Sequence, residues 1–363
     1  MSRIHIFSAV LSLLTAAVLS AVLGACSRGS GEITAADGTV LPASITIDYA
    51  AWNILSLVLR DQGYLEEEFR GDGVDINWVY TVSGPRAMEM LSGESADFGS
   101  GAAIVGLTSF ISGNPIEGIY LVNHSASWIL TAPGSSITDV SGLRGASITV
   151  PTGTHPHFHL LRMLDEAGID PGEVSIVPLP PAEGKNELLR GGVDAFIWSQ
   201  PQVQQAMREG AQVIYCGADA GGESVLYART AFLERYPEAT VRVLAMYEKA
   251  RRFALEHPEE YLQIIARHTG LQSEEARAVL EYALIDIDPD PTALRAKLLP
   301  YRRALAQLGV LGEGDDLQDL SGRYLSDRLI RRLQAGVPAA ADEAAAGSRG
   351  DAAAAAPGEG RAR

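Results

Sequence analysis

Three short turns carry most of the chemistry visible in this chain: Ser83-Gly84-Pro85-Arg86, Gly99-Ser100-Gly101-Ala102 and Thr152-Gly153-Thr154-His155-Pro156. Each places small or hydroxyl-bearing residues where a helix can open. The unsatisfied N–H groups of a helix's first turn, at the positive end of its dipole, favour an anionic or strongly polar group. Three such ends aimed at one point would form a cleft for a small solute. Micromolar affinity requires about 8 kcal/mol, whereas one helix end contributes ~0.3–1 kcal/mol, up to ~2 when partly buried. Hydroxyl hydrogen bonds and aromatic contacts must supply the remainder, and Trp52 and Trp198 are the candidate aromatic walls.

His155, His157 and His159 invite a different reading, a metal-dependent enzyme. On a helix, His155 and His159 share one face while His157 points elsewhere. No adjacent acidic or cysteine cluster completes a ligand set, so no metal is expected. Enzyme signatures are sparse. The chain lacks a Gly-x-Ser-x-Gly elbow, a Ser-x-x-Lys pair and a phosphate loop ending in Gly-Lys-Ser/Thr. Gly99 to Ile104 half-matches a dinucleotide fingerprint without its last glycine. Neither a reaction nor a cofactor is expected. Cys216, the one cysteine besides Cys26, is expected to pack as a small apolar residue near a strand end.

The elements that must position the turns alternate regularly. Strands are predicted at 44–50, 74–79, 96–99, 119–122 and 128–131, with helices between them. The pattern repeats with strands at 146–150, 174–177, 194–198 and 211–216. The turn at 152–156 leads a helix over 157–167. From 240 onward, helices are expected at 240–256, 258–269, 273–284, 291–308 and 321–334. This is an α/β chain with largely parallel sheets and a helical last third. All three turns follow predicted strands, where open α/β sheets bind ligands. Crossings between two lobes are expected near 127–132 and 224–229.

The ends are distinct. Residues 1–25 have Arg3 in a short positive region and an uncharged apolar stretch from 6 to 24, then Leu23-Gly24-Ala25-Cys26. That is the order of a lipoprotein signal, with lipidation expected on Cys26. Residues 26–43 are expected to form a flexible tether, and 336–363, rich in Ala and Gly, a disordered tail. The formal net charge is −16, which argues against nucleic acid or anionic lipid as partners.

With these residues in view, a family likeness emerges. YTVSGPRAMEMLSGESADFGSG resembles the first-lobe pattern of ABC-importer solute-binding proteins for aliphatic sulfonates, taurine, nitrate and thiamine-pyrimidine precursors. The likeness continues through SSITDVSGLRGASITVPTGTHPHFHLLRMLDEAGID and GGVDAFIWSQP, in the family's order. It implies a type II two-lobed periplasmic-binding fold with the helical C-terminal segment packed on lobe one. Lobe one would take 44–130 and 228–335, and lobe two 131–227. By the same resemblance, Ser83, Gly84, Ser100, Gly101, Thr152, Thr154, His157 and Trp198 face the ligand. Two departures stand out. Ala102-Ala103-Ile104 replaces a polar residue and proline, and Ser199 stands where relatives often carry Asp, which disfavours an aminated ligand. The implied protein is a lipid-anchored monomer in the cell envelope, outside the cytoplasmic membrane. It would pass a small sulfonate or similar anion to an ABC permease and its ATPase; a thiamine-type pyrimidine precursor is the alternative.

Overall fold

The computed structural model describes residues 31–124, 126–217 and 222–336. The expected signal segment, Cys26 and the C-terminal tail from 337 lie outside those residues. Among the described residues no helix is long and apolar enough to cross a membrane.

Among the described residues twelve strands form a hairpin and two five-stranded sheets. The hairpin joins β1 (Glu32–Thr34) to β2 (Val40–Pro42). The first sheet uses β3 (Ser44–Tyr49), β4 (Asp75–Tyr80), β5 (Phe98–Ala102) and β6 (Ile116–Asn123). The second uses β7 (Ser127–Thr131), β8 (Ser147–Thr149), β9 (Ser175–Val177), β10 (Ala195–Trp198) and β11 (Gln212–Gly217). Strand β12 (Ser224–Arg229) returns to the first sheet.

The strand orders are β4-β3-β5-β12-β6 and β11-β7-β10-β8-β9. In each sheet four strands run in one direction, and the fifth pairs antiparallel with both its neighbours. That strand is β7 in lobe two and β12 in lobe one, each the first to enter after a crossing. The chain therefore crosses between Asn123 and Ser127 and again between Gly217 and Ser224. Both crossings fall a few residues before the expected positions, because β7 and β12 already belong to the lobes they enter.

Burial follows the alternation of the strands. Ile45 and Ile47 of β3 are fully buried beside Phe98 and Leu226, each such side chain contributing about 1.5–3 kcal/mol of apolar transfer. The helix Ile54–Asp61 is capped by Asn53, whose Oδ1 accepts the Ser56 N–H at 3.1 Å. Its apolar face packs against the helices Pro237–Glu256 and Pro258–Thr269.

Four expectations need correction. The tether is ordered from Glu32: Asp37 accepts the Thr39 N–H at 2.9 Å and Gly38 takes φ +90°, closing a hairpin that buries Leu41. The helix expected over 321–334 is two helices, Leu317–Tyr324 and Arg328–Ala335. Between them Leu325 pairs with Gly118 and the Ser326 N–H donates to the Gly118 carbonyl at 2.9 Å, so sheet contacts replace helical ones. Cys216 is exposed, because β11 is the outer strand of its sheet. The C-terminal helices also reach lobe two: Tyr282 meets Trp128 edge-to-face at 4.8 Å, Arg208 pairs with Glu275, and Arg303 with Asp165.

Candidate functional site

The loops after β4, β8 and β9 and the end of β10 converge on one cavity of about 310 Å³ between the two sheets. Val82 and Ser83 line it from lobe one. Pro151, Thr152, Thr154, the run Pro178-Leu179-Pro180-Pro181 and Trp198 line it from lobe two. Every one of these loops lies at the carboxyl end of a strand, the position expected for ligands in open α/β sheets. Among the described residues no charged side chain lines this cavity.

Ser83 caps the helix Gly84–Ser92; its Oγ accepts the Arg86 N–H at 3.3 Å. Its own O–H remains available as a donor, and Pro85 removes one of the amides at the helix start. Thr154 occupies the cap position of the helix His155–Glu166, yet its hydroxyl turns back to donate to the Pro151 carbonyl at 2.7 Å. That bond closes the turn, so the exposed Thr152 offers the hydroxyl on this side. Trp198 ends β10 with its ring half-buried on the wall.

The second turn behaves differently. Ser100 is fully buried inside β5, and its N–H and O–H both donate to Oδ2 of Asp48, at 2.9 and 2.8 Å. The first amide of the following helix, on Ala103, donates to the Glu223 carbonyl at 3.0 Å. Gly101 presses on Gly84 rather than on the cavity. The expectation that Ser100 and Gly101 face a ligand is therefore corrected: this turn braces the first. Gly84 serves the same contact, and its amide leads the first helix.

His157 is not on the cavity wall either. Its Nδ1 accepts the Gly153 N–H at 3.3 Å, bracing the third turn, and burial lowers its pKa. Trp52 sits in the tight turn from Ala50 to Asn53 and is not among the residues that line the cavity. Helical spacing does bring His155 and His159 to one face, with ring centroids 5.6 Å apart. Burial, then the neighbouring His155 and Arg162 charges, push His159 down to about 2, so it is neutral. Among the described residues no group of three His, Cys, Asp or Glu could hold a metal, which leaves the metal-enzyme reading without a ligand set.

A second cavity, about 170 Å³, lies beyond the second turn, against Ala103, His155, Arg162, Glu223, Lys297 and Tyr301. Its carboxylate is already matched. Glu223 bonds Lys297 at 2.8 Å and faces His124 at 3.4 Å; burial raises its pKa, but these two partners outweigh burial and the net shift is downward. Arg162 lies 3.6 Å from Glu166 and 5.5 Å from the Tyr301 ring centroid. A solute here would have to displace existing pairs, whereas the first cavity offers hydroxyls not yet fully spent.

Sequence reasoning missed the proline wall, Val82 and Asp48. The Pro178–Pro181 run follows a predicted strand and so occupies a position where ligands bind, but prolines carry no chemistry that marks them. Asp48 sits inside a strand pattern and has no local signature.

Two facing lobes with a cavity at their strand ends define the fold of the periplasmic-binding class. The chain belongs to the NMT1/THI5-like family, whose model matches residues 56–261. A Bacillus subtilis (strain 168) protein named for binding aliphatic sulfonates is 30% identical over 231 residues, covering 62% of this chain and 69% of the relative. The crystal structure of the periplasmic aliphatic sulphonate-binding protein SsuA from Escherichia coli superposes with a TM-score of 0.67 at 22% identity, over 80% of this chain and 92% of that one. The alkanesulfonate-binding SsuA from Xanthomonas axonopodis pv. citri, bound to MOPS, gives 0.66 at 19% identity, over 75% and 95%. At these identities the two structures establish the fold.

Proposed function

We propose that this chain is the lipid-anchored solute-binding component of an ABC importer, and that its solute carries a sulfonate or similar oxyanion head on an apolar body. The observation that carries the reading is that Ser83 and Thr152, from opposite lobes, share one cavity at the starts of two helices of nine and twelve residues. Helix N-terminal amides and hydroxyls can hold an anion without a basic side chain. The apolar body would lie against Trp198 and the Pro178–Pro181 run. Among the described residues the wall holds no carboxylate that could pair with a ligand ammonium, which disfavours aminated sulfonates.

Lobe closure over the solute would create the surface read by the permease and its ATPase. Lipidation at Cys26 would hold a monomer at the outer face of the cytoplasmic membrane. The sulfonate named for the Bacillus relative supports the ligand class.

The lack of charged side chains among the described lining residues and the flat Trp198 surface also fit a planar heterocycle such as a thiamine-type pyrimidine precursor. Titration calorimetry of the mature domain with butanesulfonate, benzenesulfonate, taurine, nitrate and hydroxymethylpyrimidine separates the two. A sulfonate ligand whose affinity falls in Ser83→Ala and Thr152→Val supports the first reading. Binding of the pyrimidine alone, lost in Trp198→Ala and kept in the hydroxyl variants, replaces it with the second.

A further inference from the structure

We infer that Asp48 is the positioning residue of the lobe-one half of the site, one buried carboxylate that fixes the first and second turns relative to each other. This rests on the reading that the first turn meets the solute.

Asp48 lies in β3 and is fully buried, so it cannot touch a ligand in the cavity. Its Oδ2 accepts three hydrogen bonds, from the Thr81 O–H at 3.0 Å, the Ser100 N–H at 2.9 Å and the Ser100 O–H at 2.8 Å. Thr81 is itself fully buried and stands two residues before Ser83. Its backbone N–H donates to the Tyr49 carbonyl at 3.2 Å, which docks the strand end beside Asp48. Ser100 stands one residue before Gly101, whose Cα abuts Gly84.

The contacts therefore close a ring. From Asp48 it runs through Thr81 along the chain to Ser83 and Gly84, across the glycine contact to Gly101, and back through Ser100. The three hydrogen bonds to Asp48 are short and buried, so a shift of either turn strains a bond to the same oxygen or opens the glycine contact. A carboxylate accepts all three bonds on one oxygen, and hydrogen bonds to an ionised acceptor are the stronger kind, which offsets part of the cost of burying Oδ1 without a hydrogen-bond partner. An amide at this place would bring an NH₂ group needing acceptors of its own. Tyr247, from the helix Pro237–Glu256, is a polar ring near this carboxylate, and its hydroxyl oxygen accepts the Asn53 amide N–H at 3.1 Å.

The test is hydrogen exchange on the ligand-free mature protein. Asp48→Asn is expected to speed exchange at least tenfold at the amides of 83, 84, 86 and 87 and of 101–104 together, with the helix Pro258–Thr269 unchanged. Thr81→Val should loosen the first turn more than the second and Ser100→Ala the reverse, and these milder variants decide the matter if Asp48→Asn does not fold. Butanesulfonate affinity should fall at least fivefold in Asp48→Asn. Unchanged protection at both turns, or a uniform rise across the whole fold, overturns the inference. If the wild-type protein binds none of the probes, the solute reading fails while the exchange data still judge Asp48.

Discussion

Gly84 and Gly101 stand back to back: a Cβ on Gly101 would lie 3.3 Å from the Gly84 Cα, and one on Gly84 would lie 3.4 Å from the Gly101 Cα. Two turns separated by a strand and a helix thus meet through bare backbone, and neither backbone can rotate away. Gly101→Ala should push the first turn outward, weakening solute affinity several-fold with a stability loss of about 1 kcal/mol. Calorimetric titration and urea unfolding check this; unchanged affinity would show that the contact does not position Ser83.

A tighter approach occurs within the next helix. A Cβ on Gly106 would fall 2.2 Å from Cζ of Tyr227, a fully buried ring stacked on Tyr324 at 6.2 Å. Alanine in a helix interior gains ~1 kcal/mol over glycine, but overpacking against a ring that cannot leave costs about 1–3 kcal/mol or more. Gly106→Ala is therefore expected to lower the urea midpoint. A raised midpoint would mean that the ring has room to move.

Asp48 gives a pH signature of known sign. Burial pushes its pKa up to about 6 from the ordinary 3.8, against the three hydrogen bonds that lower it. The folded protein then holds this proton more tightly than the unfolded chain, so the group's contribution to stability grows as pH falls through 6 toward 4 and is lost as pH rises through 6. Paired carboxylates such as Asp61 shift the other way, so the useful quantity is the difference from Asp48→Asn. Relative to that variant, the wild type should gain roughly 1–3 kcal/mol between pH 7 and pH 4. Parallel unfolding curves at both pH values would contradict the assignment.

The lipid anchor has its own test, since Cys26 lies outside the described residues. Cys26→Ser in the full-length chain should move the protein from the membrane fraction to the soluble envelope fraction if signal processing continues, or leave an unprocessed precursor if it does not. In either case palmitate labelling should vanish; labelling that persists would place the lipid elsewhere or remove it from the account.

Local sequence was sufficient wherever the signal lies within a few residues. The strand-turn-helix order, Ser83 as a cap and the Thr152–Pro156 turn are all set by hydroxyls, glycines and prolines acting on their immediate neighbours, and the structure places Ser83, Thr152, Thr154 and Trp198 on one cavity. The Asp37-Gly38 hairpin was equally local, but a composition rich in small residues hid it.

The division of labour among the turns could be decided only by tertiary structure. Ser83 and Ser100 look alike in sequence, each a serine before a glycine at the start of a helix. One faces a cavity and the other is consumed by Asp48, 52 residues away in the chain, because β3 lies between β4 and β5 and brings its carboxylate under both turns. Likewise Leu325 interrupts a helical pattern because Gly118 leaves space for it. The sequence by itself determined that helix starts would gather at strand ends. Strand order and long-range packing, which no short window encodes, decided which of those starts still had polar groups to offer a solute.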